Sequence, residues 1–281
     1  MNEKKKRSRK IPAGGIVLKG IMLLLAAVVA LPLYITIVNV FKTTKQISRS
    51  PMSLPIPPTF SNITGVLQDP NVNIWQMYMN SLVITVFGAS ICILVSAMAA
   101  YYLTRERTRL SGILYIYFLF GLMVPYVIVY VPLVTMFNKL GVSGSLPWLV
   151  MVFVSGSISF STFMYYGFMG GISRDLEEAA IIDGAGSFTI FWKIIMPLVR
   201  PCTTTIAIFI GLSMWNDFLT PLLIGQVKTI TVGIYTAIGP YASDWGSVFA
   251  YVMFATLPIA VAYIFAQKQF IAGLTAGAIK G

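Results

Sequence analysis

The sequence predicts an all-α membrane protein with six transmembrane helices, because charge is scarce, uncharged runs are long and the basic residues are unevenly distributed. The chain has 281 residues, of which 57% are hydrophobic and only 10% are charged. A soluble globular domain carries about 25% charged residues. Too few charged side chains are therefore present to cover a soluble surface, and the composition indicates a membrane protein.

Long uncharged runs locate the membrane-spanning helices. A helix needs about 20 apolar residues to cross the hydrocarbon core of a bilayer. Five runs of this kind lack any charged residue, and a sixth contains a single acid, Asp217. The predicted spans are 17–41, 80–103, 112–137, 145–169, 203–224 and 247–269. Prolines within the first, third and last spans predict local kinks.

The basic residues predict the orientation of the chain. Most of the 20 lysines and arginines lie in the tail 1–16, the connection 105–109, the segment 170–200 and the tail 270–281. The positive-inside rule then places both termini in the cytoplasm. The net charge of +11 is explained by this topology and by contact with anionic membrane lipid. We therefore expect no nucleic-acid partner.

The residues that usually carry catalysis or bind metals are sparse. The chain has no histidine, and its two cysteines, Cys92 and Cys202, lie in or beside predicted spans without the spacing of metal ligands. It also lacks the GxxxxGK[ST] phosphate loop of ATPases. We expect no catalytic, metal-binding or cofactor-binding residues on this chain.

The segment 170–200 is the most polar stretch between predicted spans. Ser173 is able to cap a short helix with acidic residues in its first turn, and Gly184 is expected to end it. A second short helix is expected to end at Pro197. Small residues bordered by acids suit the docking of a soluble partner. The alternative is an interfacial helix that packs only on its own bundle.

The spacing of small residues in this segment carries a family resemblance. The run consists of Glu178-Ala179-Ala180, Gly184 four residues later, Ile194, and Met196-Pro197. It resembles the EAA signature of bacterial ABC importer permeases, although the family usually has Leu where Met196 stands. The resemblance implies a cytoplasmic coupling helix that docks on an ATP-binding subunit. The implied docking residues are Glu178, Ala179, Ala180, Asp183 and Gly184.

Three further stretches resemble the maltose-type, carbohydrate branch of these permeases. They are Asn80-Ser81-Leu82, the run 215–219 with Pro221-Leu222, and the tail 273–281. The resemblance implies the shorter, six-helix permease of a bacterial inner-membrane importer. It implies a second permease as heterodimer partner, two ATP-binding subunits that hold ATP and Mg, and an extracytoplasmic sugar-binding protein. The tail residues implied to contact the ATPase are Thr275, Gly277 and Lys280.

Asp217 is the acid inside a predicted span, and it marks a candidate substrate pathway. A charged side chain inside the hydrocarbon core of the bilayer is costly, so the side chain of Asp217 should face the bundle interior or water. Together with Trp215 and Asn216, and with Tyr126 and Tyr130 of the third span, it offers the aromatic faces and hydrogen-bonding groups that bind sugars. The alternative is a cluster that packs against the second permease or the binding protein.

The expected function is therefore that of a permease subunit, which moves a sugar or oligosaccharide while its partners hydrolyse ATP. The chain itself is not expected to be an enzyme. One alternative is an importer permease for a polyol or for glycerol phosphate, although the latter would favour Arg or Lys in the spans. Another is an ion-coupled secondary transporter, which would favour several acids in the membrane and broken helices in paired halves.

Overall fold

The computed structural model describes residues 13–70, 72–106, 108–238 and 244–278, with side chains from Val17 to Ile264 and at Gln267. None of these residues forms a β-strand. The long helices are α1 (Ala13–Val40), α4 (Ile74–Arg105), α7 (Leu146–Met169) and α13 (Trp245–Ala278). The shorter ones are α2 (Thr44–Arg49), α3 (Ser61–Gln68), α5 (Arg109–Met123), α6 (Tyr130–Leu140), α8 (Asp175–Ile182), α9 (Ser187–Ile190), α10 (Met196–Leu198), α11 (Arg200–Asn216) and α12 (Ile230–Ala237).

Length and composition identify four to six candidate spans among the described residues. Four helices are long and apolar enough to cross a membrane, and two bent helix pairs would raise the number to six. The exposed surface of the long helices is rich in large apolar side chains, as expected for helices that face lipid. The fold is therefore that of a multi-pass, all-helical membrane protein.

The third predicted span, 112–137, is a bent pair of helices and not one kinked helix. Residues Arg109–Met123 and Tyr126–Leu140 meet at an angle of 90°. The break falls at Val124 and Pro125, which are both extended, and a 3-10 turn follows at Tyr126–Val129. Proline lacks a backbone N–H and disfavours the α conformation in the preceding residue, which is the physical reason for the break.

The fifth predicted span, 203–224, is interrupted at Asp217. Helix α11 ends at Asn216 because Asp217 adopts an extended backbone with φ −72° and ψ 126°. A π turn follows at Thr220–Gly225. At its other end, α11 is bent by 74° from the preceding helical stretch, Ser187–Leu198. Pro197 therefore lies inside that stretch, where it was expected to end the helix, and the bend comes at Val199.

Two helices extend beyond their predicted bounds. Helix α4 starts at Ile74 and not at residue 80, because the Asn73 side chain accepts a hydrogen bond from the N–H of Gln76 (3.0 Å) and caps the helix. Helix α13 continues to Ala278, through most of the tail predicted at 270–281. Most of the basic tail predicted at 1–16 lies outside the described residues.

Helices α4 and α7 form the centre of the bundle. One face of α4 presents small, buried residues at every fourth position, namely Gly88, Cys92, Ser96 and Ala100. The Cys92 sulfur lies 3.4 Å from the Ser161 hydroxyl of α7. Small residues let membrane helices approach closely, so that van der Waals contact and weak polar bonds hold them together. Cys92 and Cys202 are both buried and free.

Candidate functional site

The segment 170–200 begins with helix α8, which ends in a well-formed glycine turn. Gly184 has a left-handed φ of +82°. Its N–H donates to the carbonyl of Ile181, and the N–H of Ala185 donates to the carbonyl of Ala180, both at 2.9 Å. This is the Schellman arrangement, in which a left-handed glycine satisfies the last carbonyls of a helix. The sequence prediction that Gly184 ends the helix describes this turn correctly.

Helix α8 presents most of the predicted docking residues on its surface. Glu178, Ala179, Asp183 and Gly184 are exposed, whereas Ala180 is half-buried and packs against the main apolar core. Large apolar side chains surround them, and Ile182 is 86% and Phe188 77% exposed. The result is a small surface that combines acidic, small and large apolar residues, which suits contact with another protein.

The opposite side of α8 is attached to the bundle by a buried carboxylate. Glu177 is only 8% exposed. Its Oε1 accepts a hydrogen bond from Arg105 Nε at 2.6 Å, and its Oε2 accepts one from the Tyr101 hydroxyl at 2.9 Å. Both donors belong to α4, one helical turn apart. The sequence does not distinguish Glu177 from Asp175 and Glu178, because all three acids favour the N-terminal end of the helix.

Two arginines extend this attachment to the ends of α4 and α7. Arg105 Nη1 donates to the carbonyl of Met169, the last residue of α7, at 3.2 Å. Arg174 Nη2 donates to the carbonyls of Thr104 and Arg105 at 3.0 and 2.9 Å. These are carbonyls of the last turn of α4, which lack partners within the helix. Three helices therefore meet at one buried polar junction.

Part of the predicted pathway cluster is brought together at the two helix breaks. Tyr126 and Tyr130 both follow the break in the third predicted span, with ring centroids 5.4 Å apart. The Tyr130 hydroxyl lies 3.2 Å from the Thr220 hydroxyl. The Asp217 carboxylate accepts hydrogen bonds from both the backbone N–H of Thr220, at 3.1 Å, and its hydroxyl. A polar chain thus joins the two breaks.

The other two predicted pathway residues take no part in this series of hydrogen bonds. Trp215 is buried, and its indole N–H donates to the carbonyl of Ala255 in α13 at 3.0 Å. Asn216 is exposed, and its amide donates to the carbonyl of Leu212 one turn earlier in α11. The structure therefore groups Tyr126, Tyr130 and Asp217, and separates Trp215 from them.

Comparison with known proteins identifies the family. The family described as "Binding-protein-dependent transport system inner membrane component" matches residues 92–271, a range that includes α8 and the junction with α7. The chain belongs to this family. It is a permease component of a transport system of this kind.

Several relatives of this permease match along most of its length. It is 36% identical to the probable starch degradation products transport system permease protein AmyC of Thermoanaerobacterium thermosulfurigenes, over 89% of this chain and 91% of the relative. It is 33% identical to the multiple sugar-binding transport system permease protein MsmG of Streptococcus mutans, over 90% and 92%. It is 29% identical to the diacetylchitobiose uptake system permease protein NgcG of Streptomyces coelicolor, over 92% and 87%.

A solved structure supports the fold of the permease independently. One chain in the crystal structure of a bacterial ABC transporter involved in the import of the acidic polysaccharide alginate superposes with a TM-score of 0.76. The match covers 93% of this permease and 98% of that chain, at 21% sequence identity. At this identity the similarity establishes the common fold.

At the end of the permease opposite α8, two polar residues of the Asn80-Ser81-Leu82 run hold the chain that follows the fifth predicted span. The Asn80 amide donates to the carbonyl of Lys228 at 2.8 Å, and the Ser81 hydroxyl accepts from the N–H of Ile230 at 3.1 Å. They lie in the second turn of α4 and do not begin the helix. Their role is to attach the chain that follows the fifth span to α4.

A buried lysine organises the connection after α1. Lys42 has no exposed surface, and its ammonium donates to the carbonyls of Ser50 and Pro51 and to the Asn39 side chain at 2.9, 3.2 and 3.3 Å. Burial lowers the pKa of this ammonium from its usual value, because desolvation disfavours the charged form. The three acceptors match the three N–H donors of the group.

The remaining predicted site residues lie in the C-terminal tail. The backbone of Thr275 and Gly277 belongs to α13, whereas Lys280 lies outside the described residues. Within the described part of the permease, no three Cys, Asp or Glu side chains cluster as metal ligands do.

Proposed function

We propose that this permease moves a sugar or an oligosaccharide across the bacterial inner membrane, driven by ATP hydrolysis on partner subunits. The observation that carries the proposal is the similarity, over 89% of the chain, to a permease named for starch degradation products. Two further relatives are named for multiple sugars and for diacetylchitobiose. ATP and Mg are assigned to the partner subunits.

The exposed side of α8 is the proposed docking site for an ATP-binding subunit. Glu178, Ala179, Ala180, Asp183 and Gly184 are the proposed contact residues. The exposure of all of these except the half-buried Ala180 supports this assignment, as do the uncovered side chains of Ile182 and Phe188 beside them. An exposed apolar group next to acids is costly in water and is stabilised when a partner covers it. The alternative from the sequence, an α8 that packs only on its own bundle, leaves these side chains unexplained.

The proposed assembly contains a second permease as heterodimer partner, two ATP-binding subunits and an extracytoplasmic sugar-binding protein. We propose six spans, with α8 and both termini in the cytoplasm, in contact with anionic lipid. The two bent helix pairs support this number, and the clustering of Lys and Arg at one set of connections supports the orientation. The tail residues 275–281, which begin within the last turns of α13, are proposed to contact the ATP-binding subunits.

The proposed substrate pathway passes the two helix breaks, at Tyr126, Tyr130 and Asp217. Non-helical backbone within a membrane is found where protein buries it or where it lines a cavity. Asn216 is exposed next to this break, which supports a place on the pathway for its amide. The hydrogen bond from Trp215 to α13 favours a packing role for that residue.

The function is tested with the purified transporter in liposomes that enclose ATP, with its binding protein added outside. Maltotriose, raffinose, diacetylchitobiose and glycerol 3-phosphate are offered separately as radiolabelled solutes. We expect uptake of at least one sugar together with ATPase stimulation by that sugar, and no uptake of glycerol 3-phosphate.

A matched control uses transporter that contains the variant Ile182→Asp. It places a charge at the most exposed apolar position of α8, so the ATP-binding subunits should dissociate while the permease stays folded. Import of glycerol 3-phosphate without import of any sugar would contradict the sugar assignment. Unchanged uptake in the Ile182→Asp transporter would contradict the docking site.

A further inference from the structure

We propose that the Arg105–Glu177 ion pair, held in place by Tyr101, is the connection through which a displacement of α8 moves helices α4 and α7. This inference rests on the proposed docking of an ATP-binding subunit on α8. It assigns Glu177, Arg105 and Tyr101 as positioning residues, because none of them belongs to the exposed docking surface or to the proposed pathway.

The geometry of the Glu177 carboxylate fixes α8 in two directions. One oxygen is held by Arg105 and the other by Tyr101, at 2.6 and 2.9 Å. The two donors are four residues apart on α4 and therefore lie above one another on the same face. Because both carboxylate oxygens are held by donors one turn apart, α8 cannot shift along α4 or turn about its helix axis without breaking one of these hydrogen bonds. A displacement of α8 is thereby passed to α4.

The same junction includes the end of α7. Arg105 bonds the carbonyl of Met169 with Nη1 while it bonds Glu177 with Nε. The guanidinium is rigid and planar, so the two bonds have a fixed relative geometry. Arg174, just before α8, bonds the carbonyls of Thr104 and Arg105 in the last turn of α4. Helices α4 and α7, which form the centre of the bundle, thus respond to α8 together.

Burial makes this junction stiff. The side chains of Arg105 and Glu177 are 12% and 10% exposed, so salt screens the pair weakly. Apolar packing supports it, since the rings of Tyr101 and Phe191 lie 5.5 Å apart and Phe191 follows α9 in the buried part of the segment 170–200. Glu178, one residue after Glu177, is exposed. Helix α8 therefore has a free side for a partner and an attached side for the bundle.

The experiment compares movement of α8 with movement of the far end of α4 in the assembled transporter in liposomes. Two reporter cysteines are introduced separately, Ser173→Cys just before α8 and Trp75→Cys in the first turn of α4. Both positions are exposed, whereas Cys92 and Cys202 are buried. Maleimide labelling rates are measured without nucleotide and after trapping with MgATP and vanadate.

In the otherwise unchanged transporter we expect MgATP and vanadate to alter both labelling rates by at least about fivefold, the lower end of the usual range for coupling between two sites. With Glu177→Gln, the Ser173→Cys reporter should still respond, whereas the Trp75→Cys reporter should lose most of its response, because only the bonds from Arg174 to α4 remain. The matched control is Asp175→Asn, which removes the same charge from the same helical turn at an exposed position. It should leave both responses intact.

A second variant covers the case in which Glu177→Gln fails to assemble because Arg105 is left buried without its counter-ion. Tyr101→Phe removes one of the two bonds to the carboxylate and keeps the ion pair. It should reduce the Trp75→Cys response without abolishing it. A full response at Trp75→Cys in Glu177→Gln, or in Tyr101→Phe when Glu177→Gln does not assemble, would overturn the proposed connection. Absence of any Ser173→Cys response in the unchanged transporter would instead contradict the docking of the ATP-binding subunit on α8.

Discussion

Replacing Gly184 with alanine perturbs the turn that ends α8 without crowding any neighbour. No heavy atom lies within 4 Å of the position that a Cβ would take, so the cost arises in the backbone alone. The φ of +82° lies in the left-handed region, where a residue with a Cβ loses about 1–2 kcal/mol. A loss of this size changes an equilibrium about 5- to 30-fold. The turn should therefore open about 5 to 30 times more often in the variant.

Hydrogen exchange at the amide of Ala185 measures this opening, because that N–H donates to the carbonyl of Ala180 within the turn. In Gly184→Ala the exchange should accelerate about 5- to 30-fold, in line with the backbone cost. Gly184→Asn is the matched control, since asparagine tolerates the left-handed conformation, and its exchange should stay close to that of the unchanged protein. Wild-type exchange in Gly184→Ala would refute the argument that the left-handed glycine stabilises the end of α8.

The same pair of variants separates the turn from the docking surface. Asparagine keeps the turn but adds volume at an exposed position of the proposed docking site. If an ATP-binding subunit approaches the backbone closely here, Gly184→Asn lowers sugar uptake although its hydrogen exchange is normal. Normal uptake in an assembled Gly184→Asn transporter would contradict a close approach at this position.

Three further substitutions test the bundle and the predicted pathway. Ser96→Leu overfills the α4–α7 contact, which should cost about 1–3 kcal/mol and lower the midpoint of thermal unfolding in detergent; an unchanged midpoint would contradict the packing described. Trp215→Phe removes the hydrogen bond to the Ala255 carbonyl at a cost of about 0.5–1.5 kcal/mol, so stability should fall while the KM for sugar uptake stays constant. A changed KM would instead assign Trp215 to the pathway. Asp217→Asn should raise the KM for uptake, and unchanged kinetics would remove Asp217 from the pathway.

Hydropathy locates the helices whose ends coincide with the ends of uncharged runs. Helix α7, observed at Leu146–Met169 and predicted at 145–169, lies between a glycine-containing turn and the polar segment 170–200. Helix α1 ends at Val40, close to the predicted end at residue 41, because Lys42 follows. In both cases the boundary depends on local sequence, which composition and charge describe well.

The break in the third span depends on contacts that hydropathy does not describe. A proline in a membrane helix produces either a kink or a break, according to what its neighbours offer. Here the Tyr126 ring packs against Gly156, and its hydroxyl donates to the carbonyl of Val152 at 3.4 Å. The turn that follows Val124 and Pro125 is therefore held by contacts with α7, which the sequence of the third predicted span does not contain.

Glu177 could not be distinguished from its neighbours for a similar reason. Asp175, Glu177 and Glu178 all favour the first turn of α8, and which of them faces inward depends on the rotation of α8 about its axis. That rotation is set by Arg105 and Tyr101, more than 70 residues away along the chain. In the structure the same rotation half-buries Ala180, which lies three residues after Glu177.

The Asp217 carboxylate illustrates why the pathway could not be derived from polarity alone. Its two oxygens accept from the N–H and the hydroxyl of Thr220, so the charge already has a structural reason to be there: it closes the break in the fifth span. An ionised carboxylate offers about four acceptor sites, so two remain for a sugar hydroxyl or for water.

The structural and the binding role of Asp217 are therefore compatible, but they respond differently to substitution. Asparagine keeps one acceptor oxygen for Thr220, which preserves most of the cap, while it loses the charge that strengthens a hydrogen bond to a sugar hydroxyl. A raised KM for uptake with an almost unchanged midpoint of thermal unfolding would identify the binding role. A lowered midpoint with an unchanged KM would leave only the role of capping the break.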